Sequence, residues 1–205
     1  MSRVAIVYLG LSNVASVHRA LEDVGADPFV AYQPSELTKA DKLLLPGVGS
    51  FAQAMQLLHQ GHWIEAIALQ AVVQKKPLLG ICLGMQLLLN QGFEGGEVQG
   101  LGYLSGSVDR LNALGCQEAI PHVGWNEVHQ QIEHPLFQQI PTGSDFYFVH
   151  SYAVSLDSKQ NLLATTDYGI DFTSAIAQEN IMGVQFHPEK SGKLGLQLLA
   201  NFVRL

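Results

Sequence analysis

Pro77-Leu78-Leu79-Gly80-Ile81-Cys82-Leu83-Gly84-Met85-Gln86 is the stretch whose reading decides the fold. The apolar run into Gly80 has the character of a buried strand, and the Leu-rich run 87–89 reads as the continuation of a helix. Between them stands Gly-Ile-Cys-Leu-Gly, a strand–turn–helix elbow with Cys82 in the nucleophile's position. Glycines at 80 and 84 let the backbone turn sharply without a Cβ clash. Cys82 then sits at a helix N-terminus, where the dipole favours the reactive thiolate. The same turn aims the Leu83 N–H at the oxyanion formed when the sulfur attacks a carbonyl. The motif equally fits a buried structural cysteine in a βα turn, so it needs a partner base to carry chemistry.

That partner stands far downstream, in Gly183-Val184-Gln185-Phe186-His187-Pro188-Glu189. Residues 184–186 read as a strand end. Pro188 biases His187 toward extended backbone, and residues i and i+2 of an extended segment share a side. His187 is thereby the candidate base for Cys82, and Glu189 the carboxylate that orients it. The alternative for this tripeptide is a solvated strand-to-helix turn.

Outward from the elbow, the first half alternates strand and helix. The apolar run 4–8 suits a strand buried on both faces. Val14, Val17, Leu21 and Val24 recur at helical spacing, with Gly25 at the C-cap. Residues 28–32 and 42–45 are further strands. The latter ends at Pro46-Gly47-Val48-Gly49, and Ser50 is a good N-cap for a helix through Phe51, Met55 and Leu58. Another helix is expected across 64–73. This alternation predicts an α/β fold, with a mostly parallel open sheet and helices on both faces. After the glycine-rich loop 92–102, short strands are expected near 108–111, 125–129, 146–151, 162–165 and 174–177. They form a mixed or antiparallel extension, closed by an amphipathic helix through Leu194, Leu198 and Phe202.

The 205 residues suit one domain, 1–205, and 47% hydrophobic against 14% charged residues argues for a globular chain. A net charge of −7 with no basic run gives nucleic-acid binding little support. Cys82 and Cys116 are too few for a disulfide scaffold and read as reduced cytoplasmic thiols. No apolar stretch approaches the roughly 20 residues that span a bilayer.

Val48, between two glycines at a strand's C-terminal end, can supply a second oxyanion N–H. Gln86, one helical turn after Cys82, can face the same pocket. Residues 121–126 (PHVGWN) and 147–152 (YFVHSY) are dense in aromatic and His side chains. His122 and His150 lack metal-ligand spacing, so no metal is expected. They read as packed strand positions, or as part of a Trp- and Tyr-rich partner surface. His18, His59, His62, His129, His134 and Cys116 read as structural or surface residues.

PGVGSF, GICLGMQ and GVQFHPEKS, in that order, resemble the class I (triad) glutamine amidotransferases over nearly the whole chain. PHVGWN and YFVHSY bring the chain nearest to those members that are glutaminase subunits of imidazole glycerol phosphate synthases. The resemblance implies a flavodoxin-like, three-layer fold, a Cys82–His187–Glu189 triad and no cofactor. It implies oxyanion donors at Val48 and Leu83, and glutamine held by Gly49, Gln86 and the backbone of His150, Ser151 and Tyr152. It further implies a separate (β/α)₈ barrel cyclase partner, met through Asn13, Pro121, Val123, Trp125, Tyr147 and Lys190. Ser12-Asn13 stands where the family commonly has Gly-Asn, and Val123 where it commonly has Met. Other triad glutaminases, and non-catalytic α/β proteins that keep a reactive Cys on an elbow, are the competing readings. PHVGWN and YFVHSY argue against the first, and the His-Pro-Glu segment against the second.

Overall fold

The computed structural model describes residues 1–10 and 14–205. The first half runs β1 (Arg3–Val7), α1 (Val14–Asp23), β2 (Asp27–Ala31), β3 (Lys42–Gly47), α2 (Phe51–Gln60), α3 (Trp63–Ile67), β4 (Leu78–Cys82) and α4 (Leu83–Leu87). The second half runs β5 (Leu89–Gly92), β6 (Val98–Gln99), β7 (Leu104–Arg110), β8 (His122–Gln130), β9 (Ser144–His150) and β10 (Tyr152–Leu156). It finishes with β11 (Leu162–Asp167), β12 (Asp171–Gln178), β13 (Ile181–Val184) and α5 (Gly192–Arg204). One sheet carries the order β2-β1-β3-β4-β13-β12-β10-β7-β5-β6. It is parallel from β2 to β13 and antiparallel from β13 through β12 and β10 to β7. The β8–β9 ribbon hangs from this sheet through β11.

Burial on both faces produces the parallel half. Val4 and Ile6 of β1 join a core with Leu21, Leu198 and Phe202 on the α1–α5 side. Ala5 and Val7 join Leu43, Leu45, Met55 and Leu58 on the α2–α3 side. α1 ends as its glycine predicts. The Gly25 N–H reaches the Glu22 carbonyl and the Ala26 N–H reaches that of Leu21, with Gly25 at φ +81°. These two bonds are a Schellman closure. α2 starts on Ser50, whose Oγ accepts the Gln53 N–H at 3.3 Å.

Several expectations change. The second strand starts at Asp27, and the third runs on to Gly47. The helix expected over 64–73 is α-helical only to Ile67 and continues as a π-helical turn over Ala68–Val73. The elbow helix is five residues long, and Leu89 already starts a strand parallel to β7. Leu87, Leu88 and Leu89 are all fully buried, and such a run carries no period that separates helix from strand. β5, β6 and β10 fall where the sequence showed loop or connection. The strand expected to end over 184–186 stops at Val184, and the His187 N–H crosses to the Tyr147 carbonyl of β9 instead.

Candidate active site

Cys82 ends β4 with φ +54° and ψ −112°, a conformation a non-glycine residue adopts only under constraint. The flanking glycines have a different role from the one their sequence suggests. Neither has a positive φ. A Cβ on Gly84 would lie 1.7 Å from the Leu45 carbonyl oxygen, and one on Gly80 would lie 2.6 Å from that of Gly84. The glycines let α4 press onto β3 and β4, and the pressed turn leaves the strain on Cys82.

His187 is fixed by β9. Its N–H donates to the Tyr147 carbonyl at 2.9 Å. Ser191 Oγ donates to the His187 carbonyl at 2.6 Å and accepts the Tyr147 N–H at 3.0 Å. Extended at His187, the chain then coils into a 3₁₀ turn over Pro188–Lys190. The turn, rather than strand alternation, brings Glu189 back to the imidazole. His187 Nδ1 and Glu189 Oε1 are 2.8 Å apart, with side chains only 4% and 5% exposed. Burial by itself lowers the imidazole pKa. The nearby Cys82 sulfur, and then the Glu189 carboxylate, outweigh it and push the value up to about 9. Nε2 is buried and meets no hydrogen-bond acceptor in good alignment, as in many resting catalytic sites. Glu189 Oε2 is likewise buried and unpaired.

Cys82 and His187 line a cavity of about 270 Å³, together with Val48, Gly49, Leu83 and Gln86. The segment 149–152 forms another part of the lining, where the chain passes from β9 to β10. Gly49 sits at φ +101°, so one of the two glycines around Val48 takes up backbone that L residues avoid. Gly47 has no such conformation and packs against the Leu83 side chain. Gln86 is buried and not solvated. Its Nε2 donates to the Tyr152 carbonyl and to Gln185 Oε1, each at 3.0 Å.

His122 and His150 pack among Phe148, Tyr168 and Phe172. Burial lowers their pKa values to about 4 and about 3. Among the described residues no group of His, Cys, Asp and Glu is arranged to hold a metal ion. Cys116 is buried with Sγ donating to the Tyr168 carbonyl at 3.1 Å. His18 and His129 lie beside Glu22 and Glu127 on the surface.

The expected partner residues gather on the ribbon. Val123 is 55% and Trp125 57% exposed, and they stand opposite Val149 and Tyr147 in the β8–β9 register. The Trp125 and Tyr147 rings meet edge-on at 6.1 Å, and Lys190 Nζ lies 5.7 Å from the Tyr147 ring centre. Pro121 is exposed but also lines the cavity, at the seam between ribbon and site. Asn13 lies outside the described residues.

Three lining or contacting residues carry no signal of this role in the sequence. Glu94 accepts the Phe51 N–H at 2.7 Å at the start of α2 and reaches the cavity. Val149 offers its carbonyl to Cys82 Sγ at 3.8 Å. Gln185 donates from Nε2 to the same sulfur at 3.6 Å. Gln185 is visible inside GVQFHPE, but only the fold turns it toward the sulfur.

Residues 5–205 match the family profile of the class-I glutamine amidotransferases. The chain is 48% identical over 202 residues to an imidazole glycerol phosphate synthase subunit HisH 1 of Campylobacter jejuni, covering 98% of this chain and 100% of the relative. It is 43% identical to a HisH 2 subunit of Methanococcus maripaludis, covering 98% of each. Its fold is similar to the structure of PurLQS from Thermotoga maritima, with a TM-score of 0.79 at 18% identity over 100% of this chain and 99% of that one. A glutamine amidotransferase of Thermotoga maritima superposes with a TM-score of 0.69 at 16% identity, over 94% of this chain and 78% of that one. The full-length match of profile and relatives agrees with the elbow and the His-Glu pair: the chain belongs to the class-I glutamine amidotransferases.

Proposed function

We propose that this chain is the glutaminase subunit of an imidazole glycerol phosphate synthase, hydrolysing L-glutamine to glutamate and ammonia for histidine biosynthesis. The observation that carries the reading is a strained Cys82 sharing one cavity with His187, whose imidazole is bonded to Glu189. Relatives of that name at 43–48% identity over the whole chain support it.

Cys82 thiolate attacks the glutamine Cδ carbonyl, and the Leu83 and Val48 N–H groups take the oxyanion. His187, cationic at neutral pH with its pKa near 9, gives its proton to the departing nitrogen, and ammonia leaves. The now neutral His187 deprotonates water, which attacks the γ-glutamyl thioester and releases glutamate. Glu189 holds the imidazole and offsets its charge in both half-reactions. Gly49 and Gln86, with the backbone of His150, Ser151 and Tyr152, hold the glutamine.

Ammonia released to water at pH 7 is protonated and lost as a nucleophile, so a closed passage to a second active site is required. We assign that site to a (β/α)₈ barrel cyclase bound as a heterodimer over Val123, Trp125, Tyr147, Lys190 and Pro121. An exposed apolar ribbon next to the cavity supports this surface. The two free cysteines suit a reducing compartment, and we place the complex in the cytoplasm.

The test is glutamate release from glutamine by the chain alone, and by the chain with the cyclase and its nucleotide ligand. A Cys82→Ala variant serves as control. Stimulation by the loaded partner, abolished in the variant, is expected. Activity indifferent to the partner would remove the cyclase assignment.

A further inference from the structure

The groups around the nucleophile fix the direction of every hydrogen bond on one side of it. The Tyr152 carbonyl can only accept. The Gln86 atom 3.0 Å from it is therefore nitrogen, and that nitrogen's second hydrogen faces Gln185 at 3.0 Å. The Gln185 atom receiving it must be Oε1, which turns the Gln185 NH₂ group onto Cys82 Sγ at 3.6 Å. One main-chain carbonyl thus dictates the orientation of both amides.

The same carbonyl is anchored from its other side. It accepts from His150 Nδ1 at 2.9 Å, so His150 Nε2 is an acceptor. That acceptor takes the Nδ1–H of His122 at 3.0 Å, and His122 Nε2 faces Asn126 Nδ2 at 3.4 Å. Asn126 Nδ2 also donates to the Asp167 carbonyl at 2.8 Å, which fixes it as nitrogen. Both imidazoles stay neutral, and each has one donor and one acceptor used. Gln185 is fully buried, so no water competes for its amide.

We propose that Gln185 is a further catalytic residue, whose N–H, locked toward Cys82 by the Tyr152–Gln86 chain, holds the nucleophile as its thiolate before glutamine arrives. This rests on the reading of Cys82 as nucleophile. The sulfur carries the thiolate charge only while it is not bonded to carbon, before attack and after the thioester breaks, and at both points the Gln185 N–H faces it at 3.6 Å. A neutral donor keeps its place through the cycle. It stabilises charge on sulfur without taking or giving a proton.

The test is carboxamidomethylation of Cys82 by iodoacetamide as a function of pH. Mass spectrometry of the peptide containing residue 82 reads the extent in the intact chain. Gln185→Met keeps the shape and removes the donor. Its alkylation rate should fall about tenfold at pH 7 and match the wild type at pH 10, where every thiol is ionised. Gln185→Glu turns a carboxylate oxygen toward the sulfur and should fall further at pH 7. A Gln185→Met rate within twofold of wild type at pH 7, or a loss that persists at pH 10, overturns the proposal. If Gln185→Met does not fold, Gln185→Glu is decisive on the same two pH values. Glutamine hydrolysis by Cys82→Ala separates the two failures. Retained hydrolysis removes the nucleophile reading and this proposal with it. Lost hydrolysis with unchanged Gln185→Met alkylation removes this proposal alone.

Discussion

Stability should fall as the pH rises through the alkaline range, and the cause is one residue. His187 is 3% exposed, and its pKa is raised from 6.5 to about 9. The native chain therefore holds this proton more tightly than the unfolded chain does. Such a group stabilises the fold fully below about pH 6.5 and progressively less up to pH 9. At about 1.4 kcal/mol per pH unit, the contribution is about 3 kcal/mol. The assay is urea denaturation of wild type and His187→Asn from pH 6 to pH 10. The wild type should lose about 3 kcal/mol relative to the variant across that range. Because the Cys82 sulfur is a main cause of the raised His187 pKa, the same comparison in a Cys82→Ala background should give a smaller change. Glu189→Gln, which keeps an acceptor for Nδ1 but removes the charge, should also narrow it. A difference between wild type and His187→Asn that is flat with pH, or that grows toward pH 10, would refute the linkage.

Other expectations follow from the same fold. Gly84→Ala forces a Cβ to 1.7 Å from the Leu45 oxygen, and should either prevent folding or lower the melting temperature by well over 10 °C. Phe202→Ala, at a fully buried position of α5, should cost about 3–5 kcal/mol in urea titration without changing the alkylation of Cys82. Trp125→Ala, at an exposed ring, should change the stability of the isolated chain by less than about 0.5 kcal/mol while abolishing the stimulation expected from the proposed cyclase partner. Cys82→Ala should reduce glutamate release to background with the loaded partner present.

Most of the parallel half was legible because its cues are local. Continuous apolar strands, the Ser50 cap and the Gly25 closure each depend on residues within a turn of one another. Cys82 and the His187–Glu189 pair, the proposed nucleophile and base, stood out for a different reason: Gly-Ile-Cys-Leu-Gly and His-Pro-Glu are each short, ordered segments. What the sequence withheld depends on distant neighbours. Leu89 starts a strand because Leu104 lies beside it. The backbone of His187 is set by Tyr147 and Ser191, and the amide of Gln185 by a carbonyl at Tyr152. The role of Gly80 and Gly84 could be misread for the same cause, since the atoms that exclude a side chain at Gly84 belong to β3.

On the proposed mechanism, the strained backbone at Cys82 sets activity against stability at a single position. Its φ of +54° and ψ of −112° cost an L residue on the order of 1–3 kcal/mol, and cost glycine far less. A lineage freed from the need to hydrolyse glutamine would gain from exchanging Cys82 for glycine. It would keep the fold and become sturdier while losing its chemistry. The same opposition bears on laboratory improvement. A library screened for heat resistance alone would drift toward dead enzyme at this site, so any thermostabilising campaign has to score turnover alongside melting.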